Sequence, residues 1–134
     1  MRLRLVYAVV AALTLMAATA ACTRQPSQPP PPKDIPVVTQ PSFRQDIQPI
    51  LDEFCVKCHQ PADAHGDLRL NSYQDLLRGS RVGPAVNRQK PEESLLLQVI
   101  KHQVPQGMPF HTEPLTPNRI TTIENWLRMG ALDN

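Results

Sequence analysis

Aromatic side chains are few in this chain: one Trp, two Tyr and three Phe among 134 residues. Charge of one sign is scarce too, with 14 Lys and Arg against 12 Asp and Glu. Beyond the first two dozen residues, no apolar run approaches the ~20 residues that a spanning helix needs. Strand-type alternation is nearly missing, and no internal repeat is visible. These shortages exclude a polytopic membrane protein, a coiled coil and a multidomain enzyme. They also pose a packing problem. A domain this small buries little surface unless something staples it. So thin an aromatic supply favours a bound cofactor as part of the core.

The net charge of +2 misleads. Arg2, Arg4, Arg24 and Lys33 lie in the N-terminal segments, as does Asp34. With those set aside, acidic residues outnumber basic ones by one. Nucleic acid as a partner would demand a basic footprint, and none is left.

Residues 1–21 read as an export signal. Arg2 and Arg4 form a short basic start, and Leu5 to Ala21 is apolar and uncharged. That length suits a signal core better than a spanning helix. Small residues then precede Cys22, as in a bacterial lipoprotein signal, although Thr19 stands where such signals usually carry Leu. Lipidation of Cys22 is therefore expected, with a membrane anchor as its consequence. Ordinary cleavage would instead leave a lone thiol in an oxidising compartment. Residues 22–41 hold seven of the fifteen prolines, four of them consecutive at Pro29 to Pro32. This stretch reads as an extended or disordered tether, reaching at most about 60 Å at ~3.1 Å per residue. Residues 42–134 remain as one small domain.

Within that domain the apolar spacing is helical. Phe43, Ile47, Ile50, Leu51 and Phe54 share one face, with a kink or a start near Asp46 forced by Pro49. Ser72 to Arg78 is a short helix, with Ser72 and Asp75 as a capping box and Gly79 as its stop. Pro91 to His102 is a third, striped by Leu95, Leu96, Val99 and Ile100. Thr116 caps a fourth, with Pro117 at its first position and Gly130 at its end. Ile120, Ile123, Trp126 and Leu127 form its inner face. The expected fold class is all-α.

Chemistry concentrates in Cys55-Val-Lys-Cys58-His59. At a helix end those spacings put both thiols and the imidazole on one side. Two thiols so placed suit the two vinyl groups of a haem, and the imidazole suits its iron; C-x-x-C-H reads as c-type haem attachment. A thioredoxin-like redox pair would need a βαβ context. A zinc site would need a second ligand pair, but His65, His102 and His111 are scattered and the domain has no third cysteine. An idle disulfide gives no role to the adjacent His59.

The sixth iron ligand decides between carrier and catalyst. Met108 lies between Gly107 and Pro109 on a loop that can present a thioether at a fixed angle. Met129 closes the last helix and reads as core or surface. His65 sits too near His59 to reach the opposite haem face, while His102 and His111 are backup ligands. Arg69, Arg78, Arg81, Arg88, Lys90 and Lys101 read as a solvated face, with haem propionates or an acidic partner as the sharper alternative. Tyr73 packs or bonds a propionate.

Residues 42–134 resemble a class I cytochrome c domain, of the type found in planctomycete-style and other bacterial periplasmic modules. The stretches that carry the likeness are Phe43 through His59, Gly66 to Leu70, Pro91 to Leu97, Met108-Pro109, and Leu115 through Leu132. The resemblance implies a small helical domain wrapped around one covalently attached haem c, with first and last helices packed across each other. It implies Cys55 and Cys58 as thioether anchors, His59 as the proximal iron ligand and Met108 as the distal one. The implied function is single-electron transfer between a redox donor and an acceptor on the periplasmic or extracytoplasmic side, without catalysis. Imidazole and thioether together fill both axial positions. Two other readings stand beside it. A haem enzyme or ligand sensor would have an open distal site. A fixed subunit of a membrane oxidoreductase or photosynthetic complex would dock permanently.

Overall fold

The computed structural model describes residues 33–134. The export signal at 1–21, Cys22 and most of the expected tether lie outside these residues.

Helix formation begins where Ser42 caps the chain: its Oγ accepts the Gln45 N–H at 3.3 Å, and Asp46 Oδ2 accepts the Ser42 N–H at 2.8 Å. The first turn, Phe43–Ile47, is π-helical and passes into helix α1, Gln48–Phe54. Pro49 explains the widened turn. It brings no N–H and crowds the preceding carbonyls, so a regular turn cannot run through it. The cap is thus Ser42, and Asp46 supports it from inside.

After α1 the chain forms a hairpin, which an all-α expectation does not include. Strand β1, His59–Gln60, pairs antiparallel with β2, Asp63–Ala64. Pro61 and Ala62 make the two-residue loop, where the fixed φ of proline favours a turn. The domain is therefore helix-rich with one small two-stranded sheet. Two residues per strand leave no alternation to read in the sequence.

Helix α2, Tyr73–Arg78, starts on Ser72, whose Oγ accepts the Asp75 N–H at 3.1 Å. The third helical stretch breaks in two. A 3₁₀ turn at Pro91–Glu93 precedes helix α3, Leu95–Ile100, with fully buried Ser94 between them. Ser94 Oγ accepts the Asn87 N–H at 2.9 Å, which holds the break open. The break shifts the helical phase, so Leu97 rather than Leu95 joins Leu96 and Ile100 in the core.

Helix α4, Pro117–Arg128, is the longest of the described helices. Its end is a Schellman motif: the Gly130 N–H reaches the Leu127 carbonyl and the Ala131 N–H reaches the Trp126 carbonyl, each at 3.0 Å. Gly130 has φ +93, a conformation that costs glycine little. Phe43 joins the first turn to α4, with its ring 5.5 Å from Trp126 and 5.1 Å edge-on from Tyr73. Tyr73 packs here and donates its hydroxyl to the Ala131 carbonyl at 2.8 Å. Ile47, Leu51, Leu76, Leu97, Ile100, Ile123 and Leu127 fill the core around this cluster.

The folded unit begins before Ser42. Residues 33–41 run in extended form along α4 as a strap rather than standing free. Asn118 Nδ2 donates to the Ile35 carbonyl at 3.0 Å, and Asn125 Nδ2 to the Val38 carbonyl at 2.9 Å. The Val38 N–H donates to Thr122 Oγ1 at 3.1 Å. Thr116 Oγ1 donates to Asp34 Oδ1 at 2.6 Å. Ile35 packs on the core and Pro41 is fully buried. Few apolar residues suffice because α4 supplies partners for the strap's backbone.

Candidate functional site

The last turn of α1 continues tightly through the cysteine motif. The Cys55 and Val56 N–H groups both donate to the Leu51 carbonyl, at 2.8 and 2.9 Å. The Cys58 and His59 N–H groups donate to the Cys55 carbonyl, each at 3.1 Å. The His59 carbonyl accepts the Leu70 N–H at 2.8 Å. The His59 N–H and carbonyl are thus both hydrogen-bonded, one on each side of its Cα. The helix ends at Phe54, so Cys55 to Cys58 form turns and His59 opens β1, rather than all three riding on a helix end.

Both cysteines are free thiols; Cys55 is half-buried and Cys58 exposed. Burial, with the neighbouring Cys58 adding to it, pushes the Cys55 thiol up to about 12. At neutral pH the thiol therefore stays protonated. Among the described residues no three His, Cys, Asp or Glu side chains converge on one point as metal ligands would. Attachment to a macrocycle needs no such convergence. The thiols must reach its rim, and only the imidazole must reach its centre.

The His59 imidazole is half-buried, and burial lowers its pKa, which keeps it neutral at pH 7. Its Nδ1 is buried without a hydrogen-bond partner of good geometry, although backbone groups of Leu68 and His65 approach the ring and oppose the effect of burial. An orphaned ring nitrogen in a neutral imidazole is costly unless something ligates or bonds it. Two unbridged thiols and a neutral, under-satisfied imidazole fit a covalently held haem. The nearest imidazole, His65, stands edge-on with its ring centroid 6.4 Å from that of His59, and its Nε2 lies 3.0 Å from Asp63 Oδ1. It shares the hairpin with His59.

Met108 belongs to a different support. Its N–H donates to the Val99 carbonyl of α3 at 2.9 Å, and its side chain is half-buried. Pro109 behind it is buried, while Phe110 is exposed and stacks on His111 with centroids 3.8 Å apart. His102 and His111 are exposed. Met129 is exposed at the end of α4, outside the core.

Most of the basic cluster is spoken for. Arg78 pairs with Asp75 at 2.5 Å, Lys90 with Glu93 at 2.8 Å and Lys101 with Glu124 at 2.6 Å. Arg88 meets the Tyr73 hydroxyl and donates to the Ala131 carbonyl at 3.3 Å. Arg69 and Arg78 line an open depression of about 340 Å³ with Ala64 and Asp67. Lys101, then Arg128, hold the Glu124 carboxyl below its ordinary range by hydrogen bonding to it.

Arg119 escaped the sequence reading. It is only 4% exposed, and its guanidinium lies over Phe54, 4.8 Å from the ring centroid. Its Nη2 donates to the Lys33 carbonyl at 3.1 Å and lies 3.7 Å from Glu53. It thus joins strap, α4 and the residue before Cys55. The signal was its phase: Arg119, Ile123 and Trp126 fall at i, i+4 and i+7, so the inner stripe extends to an arginine.

A family model described as Planctomycete cytochrome C matches residues 55–109. No curated protein and no solved structure matches the chain. The match supports a cytochrome c-like domain, a class that generally carries electrons rather than catalysing reactions.

Proposed function

We propose that the chain is an exported mono-haem c-type cytochrome that passes single electrons between protein partners. The observation that carries this reading is the C-x-x-C-H turn, with two free thiols and a neutral imidazole whose buried Nδ1 has no partner of good geometry. The family match supports it further, since it starts at Cys55 and ends one residue after Met108.

Cys55 and Cys58 would hold the haem through thioethers, each S–H adding across one vinyl group so that the hydrogen ends on the neighbouring carbon and no oxidant is consumed. His59 would offer a ring nitrogen to the iron and Met108 its thioether. A haem held there would supply one-electron chemistry, between a donor and an acceptor protein. The His59 backbone is held through both its groups, the N–H by the Cys55 and Val56 carbonyls and the carbonyl by the Leu70 N–H. With both ligands supplied by the chain, no position would be left for an external ligand, and the chain would relay electrons rather than make bonds in a substrate. Residues 1–21 direct export, and Cys22 carries the lipid that holds the protein at the periplasmic or extracytoplasmic face of a membrane. A membrane oxidoreductase or photosynthetic complex is a fitting partner class.

Protein exported alongside a cytochrome maturation system is the material for the test. On a denaturing gel it retains haem stain at the mass of the chain from Cys22 onward. A colourless band from matured material sinks the proposal. Ready binding of carbon monoxide by the ferrous form would replace the carrier with an open-site haem enzyme or sensor.

A further inference from the structure

The loop that bears Met108 is closed by one carbonyl. Val99 O accepts the His102 N–H at 3.1 Å and the Met108 N–H at 2.9 Å. Residues 102–108 therefore leave α3 and return to the same atom. Inside that loop the His102 ring lies against Gly107. A Cβ built on Gly107 would stand 2.3 Å from His102 Nδ1, 2.6 Å from Cγ and 2.8 Å from Cε1. Ordinary carbon contacts need about 3.5–4.0 Å, so no side chain fits at 107 while the ring stays. Gly107 does not have a left-handed φ. Glycine is needed there for space alone. His102 itself has φ +54, a conformation that is strained for a non-glycine residue.

We propose that the His102 ring, seated on Gly107, is the positioning element for Met108, setting where the thioether stands. This rests on reading Met108 as the distal ligand. The ring braces the residue immediately before Met108, and the shared Val99 carbonyl fixes the residue itself. His102 is exposed and contributes nothing to the core. Its loss therefore moves the loop and spares the helices. Gly107→Ala must displace the ring; its backbone geometry is otherwise open to alanine.

The test uses full-length, haem-loaded protein and four variants: Gly107→Ala, His102→Ala, the double variant, and His102→Phe. The readouts are the sulfur-to-iron charge-transfer band of the oxidised form, carbon monoxide binding by the reduced form, and the midpoint potential. Helix content by circular dichroism serves as the control. Gly107→Ala loses most of the band and admits carbon monoxide, with helix content unchanged. His102→Ala weakens the band. The double variant resembles His102→Ala and is milder than Gly107→Ala, because removing the ring relieves the overlap. His102→Phe keeps the band, since a flat ring can take the same seat. If Gly107→Ala and His102→Ala both match the wild type in band, ligand exclusion and potential, the positioning role is wrong and the distal assignment survives. If the wild type itself lacks the band and binds carbon monoxide, the distal assignment fails and takes this proposal with it. Should Gly107→Ala not fold, His102→Ala against His102→Phe still decides.

Discussion

Thr122→Val tests the strap at its most buried hydrogen bond. The substitution keeps volume and β-branching and removes only the acceptor for the Val38 N–H, which now lies 3.1 Å from Oγ1. Thr122 is fully buried, while Val38 is half-buried. Water can partly reach the orphaned N–H, so the cost is that of one net hydrogen bond, about 1 kcal/mol, rather than a full desolvation penalty. That is about fivefold in the ratio of docked to released strap. Asn125→Ala removes the bond to the Val38 carbonyl, and costs about the same. Both bonds hold one residue, so the double variant loses less than the sum of the singles. Two assays read this. Denaturant unfolding gives the stability loss. Limited trypsin digestion follows cleavage after Lys33, whose carbonyl is held by Arg119 in the docked strap. Cleavage there accelerates about fivefold in Thr122→Val if opening precedes cutting. Wild-type stability together with wild-type cleavage at Lys33 would refute the strap as a held element.

Further outcomes follow from the same geometry. Cys55→Ala or Cys58→Ala leaves a single thioether, read as a shifted reduced α-band in the pyridine haemochrome spectrum, and His59→Ala yields no stable haem-loaded protein on a stained gel. Met108→Ala lowers the midpoint potential and lets the ferrous form bind carbon monoxide, whereas Met129→Ala, altering an exposed side chain, changes neither. Glu124 is held below the ordinary carboxylate range, so its ion pairs stabilise the fold above about pH 4.3 and are lost as pH falls through its depressed value. Glu124→Gln accordingly costs about 0.5–1 kcal/mol at pH 7 and nothing at the acid end, measured by denaturant midpoints across pH. Cys22→Ala releases the protein from membranes on fractionation; an unchanged membrane fraction would place the anchor elsewhere.

What the sequence disclosed and what it hid divide along physical lines. Ser72 with Asp75, Pro117 and Gly130 are local devices, and each helix end lies where they put it; Thr116 holds the N-cap position, but its hydroxyl donates to Asp34 instead of capping the helix. The C-x-x-C-H motif is equally local. The strap is not. Asn118, Thr122 and Asn125 present polar groups that look like a solvated face until a second segment arrives to use them. Ser94 hid in the same way: a serine inside an apolar helical pattern looks incidental, yet its bond to Asn87 splits the helix and rotates Leu97 inward. Arg119 shows the reverse case, since its phase put it inside and only its charge argued against that.

The two proposed ligand supports differ in kind, and that difference bears on how such a site behaves. His59 stands at the end of a turn held by Leu51, Cys55, Val56 and Leu70, and its flanking cysteines are available for covalent attachment. Met108 hangs from one carbonyl that it shares with His102, on a loop whose other residues are largely exposed. Local opening draws on the segments with fewest buried contacts and bonds. In the proposed assignment the imidazole side is therefore the fixed frame and the thioether side the one that opens first. A carrier gains from that asymmetry. The covalent side keeps the cofactor whatever the loop does, and the loop side sets the potential through a single thioether. The ring of His102 on Gly107 is then the part of the loop that keeps an otherwise lightly held ligand in place.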